Sequence, residues 1–301
     1  MKISGFSFAR NAEKLYFPVG EAIKSILPVC DEFVVAVGKG DDDDRTREIV
    51  EAIGDPKIRI IDTDWTDRER LKGRIHSAQT NIALRECTGD WCFYVQADEV
   101  VHENDLPKIR RRCEDLLDDK EVEGLLFRYR HFWGDYDHFH ISHRWYPEEI
   151  RIIRNGMGIE SWETAQSFRR KGNKLKVAGV DAYIYHYGWV RPPCLMQAKS
   201  KEMSTTHWGK ARADAFYADQ EPEFDYGLLS RLAVYRGTHP SVMKDRISRM
   251  DWKDKLQYSG RPRVKHKHDR LKYRILTFIE QKLAGGRQLG GFKNYVRLKN
   301  R

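Results

Sequence analysis

The sequence predicts an α/β protein whose mostly parallel sheet is flanked by helices. Short apolar strands alternate with helical segments through the first hundred residues, and the strands are hydrophobic along their whole length, as in sheets covered on both faces. With 301 residues and 40% apolar content, the chain can bury a substantial core. After residue 107 the pattern changes, which indicates a smaller second sheet and then a helical extension rich in basic residues.

Periodicity places the elements of the first part in a repeated strand–helix order. Apolar runs predict strands at residues 3–8, 32–37, 57–61 and 91–95. Apolar residues at helical spacing predict helices at residues 15–27, 46–53 and 74–87. Ligands of such a sheet bind beyond the carboxyl ends of its strands, so we expect the loops at 9–11, 38–44 and 96–99 to meet at one rim.

The second part of the chain predicts a different arrangement. After a helix that begins near Asn104, strands are expected at 123–131, 151–154 and 183–187, and helical patterns at 193–217, 228–235 and 270–283. The run FWGDYDHFHISHRWY, residues 132–146, is dense in aromatic residues and histidines. Trp133, Tyr136 and Trp145 can either stack on the flat faces of a sugar or pack within the second sheet.

Composition limits the classes of protein that the chain can belong to. Five cysteines, an odd number with no CxxC pair, favour buried reduced thiols over disulfides or zinc. No stretch approaches 18 uninterrupted apolar residues, and Met1–Ser4 leads straight into a strand, so neither a membrane span nor a signal peptide is expected and a cytoplasmic location is predicted. The net charge of +9 comes from residues 261–301, which contain 13 Lys and Arg residues but only two acidic residues. Such a tail indicates an anionic partner, either a membrane surface or a nucleic acid.

Two carboxylates stand side by side where the fourth strand ends. Asp98 and Glu99 follow an apolar strand, so their side chains are expected at the ligand rim, where oxygen ligands suit Mg²⁺ or Mn²⁺ bound to a diphosphate. The alternative is that both residues begin a turn, with Asn104 or Asp105 capping the next helix.

Several ordered motifs resemble the amino-terminal half of the family 2 glycosyltransferases with the GT-A fold. They lie in the segments ISGFSFARNAEKL, EFVVAVGKGDDDDRTREIV and RIHSAQTNIALRECTGDWCFYVQADE. The resemblance covers residues 1–107, and weaker matches continue to about residue 195. It implies a metal-dependent, inverting glycosyltransferase that moves a sugar from a nucleotide-diphosphate sugar, expected to be a UDP-sugar, to a hydroxyl of a glycan or glycolipid in cell-envelope polysaccharide synthesis.

The resemblance also assigns expected roles to individual residues. Asp98 and His186 would hold Mn²⁺ or Mg²⁺, and Glu163, partly buried beside Trp162, would act as the base that activates the acceptor, with Glu160 as the alternative. Contacts to the nucleotide sugar are expected from Ala9, Arg10, Asn11, Gly38, Asp41, Arg74, Gln96, Ala97 and Arg191. The family pattern has aspartate where this chain has Gln96, which lowers the negative charge of the site, and the acidic loop leaves open whether Lys39, Asp41 or Asp42 faces the base.

These expectations divide the chain into three parts. Residues 1–107 form the nucleotide-sugar-binding half, residues 108–195 the acceptor-side half of the same domain, and residues 196–301 the helical extension whose basic tail would contact anionic membrane. Two alternatives remain. The first, suggested by Gln96, is a degenerate protein that binds nucleotide without transferring sugar. The second, suggested by the basic tail, is a nucleic-acid-binding protein; no recognised nucleic-acid-binding module surrounds the tail, so no nucleic acid is expected as a partner.

Overall fold

The computed structural model describes residues 1–65, 74–299 and 301. All residues named above as site candidates lie in these ranges. The strands are β1 (Ile3–Ala9), β2 (Glu32–Gly38), β3 (Ile58–Thr63), β4 (Trp91–Tyr94), β5 (Glu99–Val101), β6 (Gly124–Trp133), β7 (His138–His140), β8 (Glu148–Arg154), β9 (Ile159–Trp162), β10 (Ser167–Arg170), β11 (Asn173–Trp189), β12 (Ala233–Val234) and β13 (Tyr295–Arg297). The helices are α1 (Val19–Ile26), α2 (Thr46–Glu51), α3 (Arg74–Arg85), α4 (Leu106–Asp115), α5 (Pro193–Trp208), α6 (Lys210–Tyr217), α7 (Lys244–Ser248) and α8 (Leu271–Lys282).

The first four strands form the predicted parallel sheet. They lie in the order β3-β2-β1-β4, and each neighbouring pair is parallel, so the carboxyl ends of all four face the same edge. The strands are apolar throughout because both faces are covered: Phe33 and Val35 pack in one buried cluster, and Val34 and Ala36 pack in another. The α/β class predicted for this part of the chain is confirmed.

The sheet continues into the second half through antiparallel strands. β8 pairs antiparallel with both β4 and β6, and β6 runs parallel to β11. The long strand β11 also pairs with β5, β10 and β13, so one strand connects the ligand edge of the sheet with the β9–β10 hairpin. This connection matters for the site because β11 carries His186 and Gly188.

The aromatic run packs as a third cluster instead of lying open to solvent. Phe132, Trp133 and Tyr136 are buried with Tyr187 from β11 and Trp252 from the C-terminal region. Phe132 and Tyr187 stack with ring centroids 5.0 Å apart. The interpretation as packing of the second sheet is therefore correct for Trp133 and Tyr136.

The region after residue 195 differs in part from its predicted helical pattern. The helix expected over 193–217 is broken at Gly209, whose φ of 85° is a conformation that glycine adopts easily, so α5 and α6 are separate. The prediction of a helix at 228–235 is wrong, because the chain forms a short 3₁₀ turn there and then β12, which pairs with β7. Tyr295–Arg297 returns to the sheet beside β11, and only α8 matches the amphipathic tail helix that the sequence predicts.

The cysteines agree with the expectation from composition. All five cysteines are free, and Cys30, Cys87, Cys92 and Cys113 are buried. Among the described residues, no helix combines the length and the apolar content that a bilayer crossing needs.

Candidate active site

A cavity of about 320 Å³ opens at the carboxyl ends of β1 and β4. Ala9 and Arg10 line it from the end of β1, and Gln96, Ala97 and Asp98 line it from the loop after β4. Its volume is in the range of small-molecule sites, and its position is the one at which parallel sheets bind ligands. Two of the three loops predicted to meet at one rim therefore do meet here.

Asp98 is a buried carboxylate surrounded by cationic groups. Its Oδ2 lies 3.6 Å from Nε2 of His186 and 3.7 Å from Nζ of Lys199. Burial alone would raise the pKa of Asp98, but the charges of His186, Lys199 and Arg191 outweigh burial and hold this pKa well below its ordinary value. Asp98 is therefore ionised and available to a cation.

The tautomer of His186 follows from the hydrogen bonds around it. His131 and His186 are register partners on β6 and β11, and their Nδ1 atoms lie 3.0 Å apart. Nε2 of His131 lies 2.8 Å from the carbonyl oxygen of Tyr146, so this nitrogen carries the proton and donates it. Burial lowers the pKa of His131 far enough to keep its ring neutral, so its Nδ1 accepts from Nδ1–H of His186.

The assigned tautomer leaves an electron-rich pair of atoms facing each other. With one proton placed on Nδ1, Nε2 of His186 is left with a lone pair or a second proton, and it lies 3.6 Å from Oδ2 of the ionised Asp98. Two such acceptors at this distance need a cation between them, which can be a proton on Nε2 or a metal ion bound by both atoms.

Gly188 keeps the space between these two atoms open. A Cβ at this position would lie 2.5 Å from Oδ2 of Asp98 and 2.6 Å from Nε2 of His186. A single point close to both ligand atoms is therefore free because the residue is glycine. The donor set and the open space fit a divalent cation, although within the described ranges no group of three or more His, Cys, Asp or Glu is placed to hold a metal.

Lys199 brings an ammonium group to the same place from α5. Its Nζ donates a 2.6 Å hydrogen bond to the carbonyl oxygen of Gly188 and lies 5.1 Å from the ring centroid of Phe17. Burial and the neighbouring charge of Arg191 lower the pKa of Lys199 to about 7, against the opposing effect of Asp98. Lys199 is thus a buried amine that an anionic ligand would keep protonated.

Arg191 supports the site without lining the cavity. The guanidinium is fully buried, and it donates to the carbonyl oxygens of Leu15 and, at 3.0 Å, of Gly188. Burial lowers the pKa of Arg191 to about 10, and its Nε has no hydrogen-bond partner among the described residues. Its place is behind the carbonyl of Gly188, where it fixes the backbone on which the open space depends.

The loop after β1 is tied to the acidic loop after β2. Nε of Arg10 donates to the carbonyl oxygen of Lys39 at 2.8 Å, and Oδ1 of Asn11 accepts from the backbone nitrogen of Asp41 at 2.9 Å. Asn11 has a φ of 50°, a left-handed conformation that asparagine tolerates well. Burial would raise the pKa of Asp41, but the hydrogen bond from Lys14 and the charge of Arg10 bring it below its ordinary value.

An aromatic wall closes the cavity on the side of β2 and β3. Phe8, Trp65 and His76 all line the cavity, and the His76 ring lies 5.7 Å from both other rings. Burial, together with the charge of His207, lowers the pKa of His76 to about 4, so the ring is neutral. Gly38 permits this wall, because a Cβ there would lie 2.3 Å from Nε1 of Trp65.

The opposite side of the cavity is formed by the segment after β9. Thr164 and Gln166 line it, and Nε2 of Gln96 donates to the carbonyl oxygen of Ala165 at 3.0 Å. Glu163 directly precedes Thr164, but its side chain is exposed and is not part of the cavity lining. The expectation that Glu163 is partly buried beside Trp162 is therefore wrong, since both side chains are exposed.

Glu99 does not share the environment of Asp98. Its carboxylate is fully buried and accepts from Nε and Nη2 of Arg151, each at 2.7 Å, and from the hydroxyl of Tyr129 at 2.7 Å. The expectation that both carboxylates reach the ligand rim is therefore correct for Asp98 alone. Asp98 lies in the turn that precedes β5, whereas Glu99 is the first residue of that strand, which separates the two side chains.

The structure brings together in the cavity four of the nine residues assigned to the nucleotide sugar. Ala9, Arg10, Gln96 and Ala97 line the cavity with Asp98 and His186. Gly38 lines a neighbouring cavity of about 390 Å³ beside the ends of β2 and β3. Asn11 and Arg191 are buried behind the lining, Asp41 is exposed on the acidic loop, and Arg74 is exposed at the start of α3.

Several cavity residues were not anticipated from the sequence. They are His76, Lys199, Glu202, Thr206 and His207. Four of them lie on α5 at helical spacing. This polar stripe, on the helix that follows His186, is the feature of the sequence that could have indicated them. Glu202 also contacts the rim, because its Oε1 accepts from Nη1 of Arg10 at 3.0 Å.

The fold and the cavity together define an α/β protein with a candidate ligand site at the carboxyl ends of its parallel strands, lined by both acidic and basic side chains. The chain matches the model of the family described as "Glycosyl transferase family 2" over residues 18–174, more than half of its length. It therefore belongs to glycosyl transferase family 2, and the resemblance noted in its motifs is confirmed. The mixed sheet with flanking helices is the GT-A architecture that the resemblance implies.

The solved structures that match this chain are distant from it in sequence. The crystal structure of S. aureus TarS has 16% identity and a TM-score of 0.40 over 73% of this chain and 42% of that one. Glucosyl-3-phosphoglycerate synthase from Mycobacterium tuberculosis, solved with Mn²⁺, UDP and phosphoglyceric acid, has 20% identity and a TM-score of 0.30 over 42% of this chain and 43% of that one. The chain thus spans less than half the length of either protein. No protein with a curated description matches it.

Proposed function

We propose that the protein is an inverting glycosyltransferase that moves a sugar from a nucleoside diphosphate sugar to an acceptor hydroxyl. The observation that carries the proposal is the facing pair of Asp98 and His186, with open space at Gly188, inside the cavity of a family 2 chain. A diphosphate needs positive charge nearby as it departs, and Lys199, whose Nζ lies 3.7 Å from Asp98, supplies positive charge beside this pair.

Asp98 and His186 are the residues that would hold Mn²⁺ or Mg²⁺. Two protein ligands suit these ions when phosphate oxygens and water fill the other positions, and a bound ion would offset the charge of the departing diphosphate. Lys199 adds a second positive group to the same region, because its Nζ lies 3.7 Å from Asp98. Gln96 replaces a carboxylate with a neutral amide, so the cationic groups face less negative protein charge.

The nucleotide would occupy the part of the cavity between the β1 loop and the aromatic wall. Arg10 lines this part and is held by the Lys39 carbonyl, while Phe8 and Trp65 offer flat apolar faces to a base. The acidic loop is fixed to the same place through Asn11 and Asp41. We propose a UDP-sugar as the donor.

Glu163 is proposed as the base that removes the proton from the acceptor hydroxyl. Inversion proceeds by one displacement: the acceptor oxygen forms a bond to the anomeric carbon as the bond to the diphosphate breaks, and the carboxylate takes the hydroxyl proton. The exposed position of Glu163, next to cavity residue Thr164, suits an acceptor that approaches from solvent. We propose a glycan or glycolipid of the cell envelope as this acceptor, in the cytoplasm.

Nucleotide binding tests the donor site directly. We expect UDP with Mn²⁺ to raise the melting temperature of the protein, and UDP or Mn²⁺ alone to do so much less, because the diphosphate and the two protein ligands complete the metal site together. The measurement is thermal unfolding with UDP, GDP, CMP and dTDP, each with and without Mn²⁺. No shift with any nucleotide would contradict the proposal, and binding without donor hydrolysis or transfer would favour the degenerate alternative.

The assignment of the base can be tested separately from the donor site. We expect Glu163→Gln to lower the transfer rate about 100-fold while nucleotide binding stays unchanged, because an amide cannot take the proton. The matched control is Glu160→Gln, an exposed glutamate on β9 three residues away. An equal loss in both variants, or no loss in Glu163→Gln, would remove Glu163 from this role.

A further inference from the structure

The tail helix α8 presents its apolar side to solvent. Leu271, Ile275 and Phe278 recur at a spacing of four and three residues, which places them on one face, and they are 70%, 51% and 62% exposed. Leu283, directly after the helix, is 75% exposed. A surface helix of a globular protein normally turns such a stripe toward the core, so α8 has the reverse orientation.

The side of α8 that faces the protein is polar. The hydroxyl oxygen of Thr277 accepts from the backbone nitrogen of His143 at 3.0 Å, and Oε1 of the buried Glu280 lies 2.6 Å from Nδ1 of the same histidine. Oε1 of Glu280 also accepts from the backbone nitrogen of Leu289 at 2.8 Å. These contacts fix the rotation of the helix, so the exposure of its apolar face is a property of the fold.

Basic residues flank the exposed apolar face. Lys272 and Arg274 lie on either side of it, and Lys282 continues it at the last turn. The whole tail, residues 261–301, has 13 Lys and Arg against two acidic residues. A cavity of about 260 Å³ beside the helix is also both apolar and basic, because Ile141 and Phe278 line it together with Arg274 and Lys282.

We propose that α8 is a membrane-binding helix that lies in the headgroup region of an anionic bilayer, with Leu271, Ile275 and Phe278 inserted. An apolar face with basic flanks is the pattern of interfacial helices, in which burial of apolar side chains and attraction to anionic lipid act together. A nucleic acid would satisfy the charges but leave the apolar face in water. A second copy of the chain would cover the apolar face but bring a second set of like charges against the first.

The helix is connected to the candidate active site through a short segment. His143, held by α8, is three residues before Tyr146, which lines the cavity and whose carbonyl oxygen accepts from His131. Membrane binding through α8 would therefore set the cavity at a fixed place near the bilayer surface. The inference does not depend on the transferase activity, since it rests on α8 alone.

The test is binding of the full-length protein to lipid vesicles. We expect sedimentation with vesicles of phosphatidylcholine and phosphatidylglycerol in equal parts, and little with phosphatidylcholine alone. Ile275→Ser/Phe278→Ser should weaken binding about tenfold or more by removing inserted side chains. Lys272→Gln/Arg274→Gln/Lys282→Gln should weaken it about as much, with a reduced dependence on salt.

The controls keep the test specific to α8. Phe216→Ser/Val234→Ser removes two similarly exposed apolar side chains elsewhere and should leave vesicle binding unchanged. Thermal unfolding and nucleotide binding of each variant show that it is folded. Unchanged vesicle binding by Ile275→Ser/Phe278→Ser would overturn the proposal, as would tighter binding to RNA than to vesicles, or a dimer in solution that these two substitutions dissolve.

Discussion

Asp98→Asn is expected to abolish the Mn²⁺-dependent stabilisation by nucleotide and to lower the rate of sugar transfer about 100-fold or more. The amide keeps the shape of the side chain but loses the charge, so Nε2 of His186 and Nζ of Lys199, 3.6 and 3.7 Å from Oδ2, lose their anionic partner. The measurements are the thermal shift with UDP and Mn²⁺ and the initial rate of donor turnover.

A second substitution tests whether the cation needs the open space at Gly188, independently of the charge of its ligands. Gly188→Ala keeps both Asp98 and His186 in the chain, but its methyl group would lie 2.5 and 2.6 Å from their ligand atoms, so one or both side chains must shift and the Mn²⁺-dependent shift should also be abolished. Gly179→Ala, on the same strand, is the matched control, because its methyl group would meet only the flexible end of Arg297, at 3.2 Å. Retention of the metal-dependent shift in both Asp98→Asn and Gly188→Ala would show that no metal is bound here.

Arg151→Met is expected to lower the free energy of unfolding by about 3–5 kcal/mol, the range seen when one partner of a buried ion pair is removed. Arg151 and Glu99 are both fully buried, and two parallel hydrogen bonds of 2.7 Å join them. Without the guanidinium, the Glu99 carboxylate keeps only neutral partners such as the Tyr129 hydroxyl. Chemical denaturation of both proteins measures the difference.

Two further variants show whether the loss comes from the pairing. Glu99→Gln/Arg151→Met should be more stable than Arg151→Met alone, because no unpaired charge then remains in the interior. Arg170→Met breaks the more exposed pair with Glu123 and should cost about 1 kcal/mol or less. A similar cost for Arg151→Met and Arg170→Met would mean that the buried pair contributes little to stability.

The parallel half of the fold could be predicted because local pattern and position agree there. Short apolar strands between helices mark both the sheet and its ligand edge, and β1 to β4 form as expected. The prediction over 228–235 failed because the apolar residues of that stretch pack into the aromatic cluster of the second half. Contacts with distant parts of the chain therefore determine the conformation of this stretch, and the spacing of apolar residues in the sequence does not predict such contacts.

The candidate site was predictable where it lies on strand ends and not where distant segments converge. Asp98 and His186 come together because β5 and β11 pair. The family resemblance had assigned both residues to one metal site, but it did not predict this pairing. The role of Glu99 depends on Arg151, 52 residues away in the sequence. The role of Lys199 depends on how α5 packs against the cavity. An acidic pair in sequence gives no sign that one carboxylate will meet an arginine and its neighbour an open cavity.

The long strand β11 also separates two parts of the molecule that can vary independently. Its pairing with β6 is irregular between Gly179 and Tyr183, where four steps along β11 match two along β6. A bulge of this kind accommodates extra residues by local bending, so the hairpin at the start of β11 can change length without shifting His186 out of register with His131. The position of His186 beside Asp98 is thereby insulated from changes in the length of that hairpin.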